Sequence, residues 1–459
     1  MHFFTDPTEH FSSQGKSATP IHCVRKDNVR GLAKAHGERV ARWAKVNGFE
    51  AREGSILIVP DINGRAEMVL FGCDDDSRLT HAGLARKLPE GRYSFAGDRD
   101  ATLDPLFWAM GGYDFTRYRK PKAKAPTLAC RPNAESVRIA EGVYMARDLI
   151  NTPAGDMGPD ALEAAVRQLA KHHKAKVTVI KGDKLVDGNF PMVHAVGRAS
   201  AQAPRVIDVN WGKTKNPKIT LIGKGVTFDT GGLNIKPGSS MALMKKDMGG
   251  AANVLGLSHM VMDAKLPVRL RVIIGAVENS ISGNAFRPGD VLSTRKGISV
   301  EIGNTDAEGR LVLGDCLALG DEEEPQLMID MATLTGAARV ALGPDLPPFY
   351  TNDDAFADEL SSTAESSLDP LWRMPLWKPY HKLMASKIAD LSHINTAGTG
   401  FAGSITAALF LSHFVEKAES WAHFDIFGWT PIEKPWATVG GEAQGIRALY
   451  ALLARRYPV

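Results

Sequence analysis

The chain has 459 residues, of which 44% are hydrophobic and 23% are charged. This length predicts two or three domains, and the composition is that of a globular protein able to bury its own core. The formal net charge of +3 gives no indication of a nucleic-acid or an acidic partner. The amino terminus lacks a signal-peptide pattern, and no apolar run approaches the ~18 residues of a membrane span. The cysteines are far apart and form no CxxC pair, which fits reduced thiols and predicts a cytoplasmic protein; they are Cys23, Cys73, Cys130 and Cys316.

The first predicted elements form a small α/β domain over residues 1–130. Residues 30–48 have the periodicity of an amphipathic helix that ends at Gly48. Two alternating stretches, 55–60 and 66–72, predict paired strands around a turn. A basic, proline-bearing stretch over 119–133 suits a linker, and helical periodicity follows over 135–151, so we assign residues 131–151 to a linker and a connecting helix.

From residue 152 onward, apolar strands alternate with helices, and we assign residues 152–459 to a C-terminal domain. This alternation predicts an α/β fold with a mixed, mostly parallel sheet covered by helices on both faces. Functional residues in such sheets collect at the carboxyl ends of the strands. The predicted strands are 176–180, 218–223, 268–277 and 326–334, and the clearest helices are 161–173 and 250–264.

Residues 304–311, Asn-Thr-Asp-Ala-Glu-Gly-Arg-Leu, are the most informative segment. In an extended stretch, Asp306, Glu308 and Arg310 would all point to one face. Two carboxylates on one face repel each other unless a cation lies between them or one is protonated. The pattern therefore indicates a metal site beside a guanidinium, although a solvated surface strand can show the same spacing.

A second charged segment, residues 221–252, begins at the end of a predicted strand and is rich in glycine. We interpret it as a loop that directs Lys224, Asp229, Lys236 and Asp247 into a cleft. A phosphate-binding loop is one alternative, but the GxxxxGK[ST] spacing is missing. Glycine-rich turns with solvated lysines are the other alternative.

The number of candidate ligands favours a metal-binding site. Asp229, Asp247, Asp306 and Glu308 all fall near predicted strand ends or turns, and four carboxylates suit two hard or borderline divalent cations. No HExxH motif is present, which argues against a common mononuclear zinc protease. We expect His423 to be a hydrogen-bonded core residue rather than a ligand.

Several motifs in order carry a specific resemblance. They are GKGVTFDTGG, DMGGAA, SGNAFRPGD at 282–290, NTDAEGRL and DMATLTGA at 330–337. Over about residues 145–430 the chain resembles the leucyl aminopeptidase family of dinuclear metallopeptidases, whose N-terminal domain varies. The sequence differs from the family pattern in two places. It has no arginine within 395–403, and its residues 278–286 differ from the motif that is common in the family.

The resemblance implies two divalent metal ions per chain, manganese or zinc. Asp229 and Glu308 would bridge the two ions. Asp306 would complete one site with its backbone carbonyl, and Lys224 and Asp247 would complete the other. Lys224 would have to be neutral to donate its lone pair, and burial beside cations lowers a lysine pKa.

The resemblance also implies the catalytic and substrate-binding residues. Lys236 would stay protonated and stabilise the oxyanion. Arg310 would hold a bicarbonate that acts as general base toward a metal-bridging water. Leu334 and Gly336 would offer backbone groups to the peptide, and Met244 would line the pocket for the first side chain. The expected activity is release of apolar, leucine-like residues from peptides with a free N-terminus.

Family members assemble as hexamers, so a homohexamer is expected, and neither a membrane nor a nucleic acid is an expected partner. Two rivals stay open at this point. A two-metal phosphoesterase would need histidine-rich or DxD ligand clusters, which are missing from the segments 221–252 and 304–311. A binding protein on the same fold could use the basic stretch 119–124 for DNA.

Overall fold

The computed structural model of the protein describes residues 4–13, 18–74, 78–97, 100–120, 124–398 and 400–459. The chain divides into two compact units. The smaller unit contains Thr5–Tyr144 and Ile432–Val439, and the larger contains Met145–Pro431 and Gly440–Val459. Within the described residues, no helix combines the length and the apolar character that crossing a bilayer would require.

The smaller unit is built on one sheet. Its strands are β1 (Phe11–Ser12), β2 (Thr19–Val24), β3 (Ile56–Pro60), β4 (Ala66–Gly72), β5 (Arg92–Phe95) and β6 (Thr127–Ala129). They lie in the order β1-β6-β5-β2-β4-β3, and only the β3–β4 pair is antiparallel. This pair confirms the strands predicted at 55–60 and 66–72. The helices are α1 (Leu32–His36), α2 (Glu38–Val46), α3 (Arg78–His81), α4 (Leu84–Lys87) and α5 (Leu103–Gly112).

The single helix predicted over 30–48 is wrong in one respect. The segment begins as a 3₁₀ turn, Lys26–Gly31, and the α-helix then breaks between α1 and α2. Gly37 lies at the break with φ +90°, a left-handed conformation that ends a helix and that glycine adopts without steric cost. The predicted connecting helix is confirmed as α6 (Ala134–Asn151).

The larger unit is built on an eight-stranded sheet. The strands are β7 (Lys176–Lys181), β8 (Arg205–Trp211), β9 (Lys218–Asp229), β10 (Arg269–Asn279), β13 (Leu327–Ala332), β14 (Pro348–Thr351), β15 (Trp372–Met374) and β17 (Trp421–Asp425). Their order is β15-β14-β17-β13-β9-β10-β8-β7, in which β17, β13, β9 and β10 are parallel and form the centre. The mixed, mostly parallel sheet predicted from the sequence is confirmed. Smaller strands are β11 (Val291–Ser293), β12 (Ser299–Glu301), β16 (Leu391–Ser392), β18 (Trp429–Thr430) and β19 (Gly440–Gly441).

Helices pack closely on the central strands. A Cβ at Gly223 of β9 would lie 2.5 Å from Ala251 Cα, and one at Gly275 of β10 would lie 2.4 Å from Val312 Cγ1. Only glycine allows this approach between helix and strand. The helices are α7 (Pro159–His173), α8 (Lys184–Asp187), α9 (Pro191–Gly197), α10 (Gly238–Met241), α11 (Gly249–Asp263), α12 (Gly309–Asp321), α13 (Gly336–Leu342), α14 (Asp354–Ser366), α15 (Gly403–Ser412) and α16 (Ile446–Arg456).

Candidate metal centre

The segment 304–311 adopts a capped turn and not the extended conformation considered from the sequence. The Asn304 side chain accepts a 2.8 Å hydrogen bond from the Asp306 N–H, which starts a 3₁₀ turn over Thr305–Ala307. Helix α12 then begins at Gly309. Asparagine favours this conformation because its side-chain oxygen satisfies a backbone donor that the first turn leaves unpaired. Strand alternation therefore does not explain the positions of the acidic side chains.

Three carboxylates nevertheless converge. Asp229, at the end of β9, and Glu308, just before α12, are buried, and they meet Asp306. One oxygen of each carboxylate lies within 4.8 Å of an oxygen of the other two. Such a cluster is unfavourable unless protons or cations neutralise it.

Lys224 and Asp247 complete the cluster. Lys224, within β9, places Nζ 2.7 Å from Asp247 Oδ2 and 2.9 Å from Glu308 Oε1. It also donates a 3.0 Å hydrogen bond to the Thr333 carbonyl. Asp247 lies in the short 3₁₀ helix Met244–Met248, and its Oδ1 accepts a 2.9 Å hydrogen bond from the Thr333 hydroxyl. The segments before α11 and after β13 thus meet at β9.

The pKa values reflect this crowding of charge. Burial, followed by the repulsion from Asp229, raises the pKa of Glu308 to about 8. Burial and the nearby Asp247 also raise the pKa of Asp229. Burial alone lowers the pKa of Lys224, but the carboxylates around it raise the net pKa above the usual lysine value. Without metal, the carboxylates therefore repel one another strongly enough to favour protonation of Glu308, and Lys224 stays an ammonium that offsets part of their charge.

The residues present fit divalent cations. Glu308 Oε2 is buried and, among the residues that the structure describes, has no hydrogen-bond partner. An unpaired carboxylate oxygen in a buried site is costly, and a cation would relieve that cost. The donor set of carboxylate oxygens with one amine matches hard or borderline ions rather than soft ones.

Lys236 faces the cluster from a tight loop after β9. Its Nζ lies 2.8 Å from Asp229 Oδ2 and 2.5 Å from Asp306 Oδ1. The loop is held by a 2.9 Å hydrogen bond from the Lys236 N–H to the Thr230 carbonyl, and Gly231 donates to Asp229 Oδ1 at 2.8 Å. Burial alone would lower the pKa of Lys236, but Asp229 and Asp306 raise the net pKa. The side chain is therefore a cation at neutral pH.

Arg310, in the first turn of α12, is buried beside a segment that the sequence analysis did not select. Its Nη1 donates a 2.7 Å hydrogen bond to the His393 carbonyl. Its Nε, in the described part of the chain, has no hydrogen-bond partner. Burial lowers the pKa of Arg310 to about 10, so the guanidinium is still charged near neutral pH. A buried guanidinium with an unused donor is suited to binding a small anion.

The turn after β13 carries the candidate substrate residues. Leu334 is partly buried, and its N–H donates a 3.1 Å hydrogen bond to Asp425 Oδ1. Thr335 donates to Asp425 with both its N–H and its hydroxyl, at 3.0 and 2.5 Å. Gly336 is exposed at the start of α13, and Met244 is partly buried at the start of its 3₁₀ helix. Asp425 thus fixes the backbone of this turn.

Other residues at this site were missed by the sequence analysis. Asn279, at the end of β10, donates from Nδ2 to Asp229 Oδ1 at 2.8 Å and to the Thr305 carbonyl at 3.1 Å. The position of Asn279 just after a predicted strand was the signal that could have identified it.

The interpretation of His423 as a core residue is supported, because its Nδ1 lies 2.5 Å from Asp330 Oδ1 and both side chains are buried. Cys316 is buried.

Comparison with known proteins identifies the family. The model of the cytosol aminopeptidase family catalytic domain matches residues 144–450. The chain belongs to the cytosol aminopeptidase family. The M17 aminopeptidase N-terminal domain matches residues 19–130, a region in which the sequence analysis recognised no family. The chain is accordingly an aminopeptidase, a hydrolase of peptide bonds, and the resemblance noted from its motifs is confirmed.

Individual relatives of this cytosol aminopeptidase family member cover nearly its whole length. A probable cytosol aminopeptidase of Geobacter sp. (strain M21) is 39% identical over 98% of each chain. The crystal structure of the cytosol aminopeptidase from Coxiella burnetii has a TM-score of 0.93 at 44% identity, covering 97% of this chain and 98% of that one. The bottromycin maturation enzyme BotP, solved in complex with Mn, has a TM-score of 0.85 at 30% identity, covering 96% and 100%.

Proposed function

We propose that the protein releases N-terminal residues from peptides, with apolar, leucine-like residues preferred, by means of two divalent cations. The observation that carries this proposal is the cluster of Asp229 and Glu308, both buried, with the partly buried Asp306, which approaches both Lys224 and Lys236. Carboxylates this close together repel one another unless cations or protons neutralise them, which favours a metal-dependent reaction. The manganese complex of BotP supports the same metal class.

Asp229 and Glu308 would be shared between the two ions, Asp306 would complete one site, and Lys224 with Asp247 would complete the other. Manganese or zinc would supply a Lewis acid and, by lowering the pKa of water, a nucleophile at neutral pH. Lys224 would lose its proton to act as a ligand, because adjacent cations disfavour the ammonium form.

The remaining chemistry falls to residues that do not bind the ions. Lys236 would stabilise the oxyanion that develops on the scissile carbonyl, since its ammonium is held at the carboxylate cluster by Asp229 and Asp306. Arg310 would orient a bicarbonate ion as the proton acceptor, because the surrounding carboxylates are already used by the metals. Its unused Nε supports this anion-binding role.

The substrate would lie along the turn after β13. Leu334 and Gly336 would present backbone groups to the peptide, and Met244 would contact the first side chain. Because the Leu334 N–H already donates to Asp425, the Leu334 carbonyl is the group left to receive a substrate donor.

We also propose that the protein is cytoplasmic and that it forms a homohexamer. Sedimentation of the purified protein would test the hexamer.

The test is an assay of leucine anilide hydrolysis together with metal analysis. The protein would be stripped with a chelator and reloaded separately with manganese, zinc or cobalt. We expect about two ions per chain at the carboxylate centre and activity that returns with the metal. Leucine anilide with an acetylated amine is the matched substrate control and should not be cleaved. A fully loaded protein without leucine anilide hydrolysis would contradict the proposal.

A further inference from the structure

We infer that the smaller unit contains a second cation site, of the zinc class, formed by Cys23, Cys73 and His81. One ligand atom from each residue lies within 4.8 Å of those of the other two. Cys23 Sγ is 3.5 Å from His81 Nε2. None of these residues belongs to the carboxylate centre of the larger unit, so this inference stands apart from the proposed function.

The fold brings the three residues together from separate elements. Strands β2 and β4 are parallel neighbours, and Cys23 is directly opposite Phe71. Cys73 follows β4 and extends the ladder, because its N–H donates a 3.0 Å hydrogen bond to the Val24 carbonyl. Residues two apart on a strand share a face, so both sulfurs lie on one face of the sheet. His81, at the end of α3, packs on that face.

Aromatic packing orients the histidine toward the sulfurs. The His81 ring lies edge-on to Phe71, with ring centroids 5.2 Å apart, and 5.5 Å from Phe95. Both His81 and Cys73 are buried, whereas Cys23 is partly exposed. Nδ1 is buried and finds no hydrogen-bond partner in the described ranges, so the ring is held by packing and Nε2 is the nitrogen that faces the thiols.

The spacing fits a tetrahedral ion. Zinc–sulfur bonds of ~2.3 Å and zinc–nitrogen bonds of ~2.0 Å put tetrahedral S and N ligands ~3.5 Å apart, as observed between Cys23 and His81. Two thiolates and one neutral imidazole balance a divalent charge, and binding releases both thiol protons. Cys23 is partly exposed, so a water molecule would be the fourth ligand. Sulfur ligands select zinc-like ions, whereas the carboxylate centre suits harder ions.

Cobalt(II) is the probe that separates the two sites. The catalytic ligands are oxygens and one amine, so a thiolate-to-cobalt charge-transfer band in the near ultraviolet reports on the cysteine site alone. We expect the full-length protein, titrated with cobalt, to develop this band with a stoichiometry of one per chain. Added zinc should abolish it while leucine anilide hydrolysis persists.

Variants make the assignment specific. Cys23→Ser should remove at least half of the band, because only the Cys73 thiolate remains, and Cys130→Ser, which changes a partly exposed cysteine outside the cluster, should leave it intact. His81→Phe keeps the aromatic packing and removes the nitrogen ligand, so a folded His81→Phe protein should bind cobalt at least tenfold more weakly. A wild-type protein without the band, or a band of full intensity in Cys23→Ser, would show that the contact is only a thiol–imidazole hydrogen bond.

Discussion

The His393 carbonyl lies 2.7 Å from Arg310 Nη1 and accepts a hydrogen bond from it. The His393 side chain contacts the backbone at the start of the 304–311 turn. Its Nε2 lies 2.9 Å from the Asn304 carbonyl, and the Gly303 N–H donates to its Nδ1 at 3.3 Å. One residue thus fixes both the guanidinium and the backbone that leads into the carboxylate cluster.

Arg310→Ala should lose activity and keep its metals. If Arg310 holds the proton acceptor, the loss of general-base catalysis should lower kcat ~10²-fold or more. Wild-type activity should fall in bicarbonate-free buffer and recover when bicarbonate is added, whereas the variant should not respond. Arg373→Ala, which changes a half-exposed arginine paired with Asp354, is the matched control. A bicarbonate response in Arg310→Ala equal to that of the wild type would exclude this role.

Lys236→Ala should separate catalysis from metal binding. Removing one charged oxyanion donor should lower kcat by ~10²–10³-fold, while metal content per chain stays at the wild-type value. Turnover and metal analysis on the same preparation measure both quantities. Lys181→Ala, which removes an exposed lysine paired with Asp160, should change neither. Wholesale metal loss in Lys236→Ala would mean that this lysine supports the ligands instead.

His393 should make the protein sensitive to acid. Burial and the nearby Arg310 lower the pKa of His393 to about 3, so the folded state keeps the ring neutral. The unfolded state takes up a proton below its pKa of ~6.5, so this stability is present above pH ~6.5 and is lost as the pH falls toward ~3. Between pH ~6.5 and ~5 the wild type should lose about 2 kcal/mol more than His393→Gln.

Urea denaturation of the two metal-free proteins at both pH values would measure this difference. The other histidines are common to both proteins and cancel in the comparison. The glutamine amide can still donate to the Asn304 carbonyl, which makes the substitution conservative. Parallel stability curves for the two proteins across this pH range would contradict the prediction.

Asp425→Asn should weaken substrate binding more than it affects the metals. Asp425 accepts hydrogen bonds from Leu334, Thr335 and Ser404, so it sets the shape of the substrate turn. The amide nitrogen of asparagine cannot accept a hydrogen bond, so the variant loses part of this network. Each hydrogen bond to the charged carboxylate contributes ~1.5–3 kcal/mol, so we expect KM to rise about tenfold. Steady-state kinetics with leucine anilide would measure it. Asp369→Asn, which changes another buried aspartate that accepts backbone N–H groups, should leave KM unchanged.

Gly309→Ala should reduce metal affinity through Lys224. A Cβ at Gly309 would lie 2.5 Å from Lys224 Cε and 2.7 Å from its Nζ, so the lysine would have to move. We expect metal binding at least tenfold weaker by titration, since misplaced ligands lose affinity readily. At Gly155 an added Cβ meets no atom within 4 Å, so Gly155→Ala is the control. Unchanged affinity in Gly309→Ala would show that Lys224 does not need this position.

The sequence by itself determined the fold class and the kinds of donor. Alternating apolar strands and helices predicted the mixed sheet, because burial on both faces requires continuous hydrophobic runs. The ordered motifs indicated the family, and the carboxylates with Lys224 and Lys236 indicated a metal centre. These are properties of local composition and order, which a single sequence contains.

Only the tertiary structure decided which residues meet. Asp229, Asp247 and Glu308 come together because the central parallel strands end at one edge of the sheet, a consequence of strand order rather than of spacing along the chain. The break at Gly37, the capped turn at Asn304 and the two contacts of His393 likewise depend on backbone conformation and on distant partners. Local periodicity contains no information about contacts between segments so far apart in sequence.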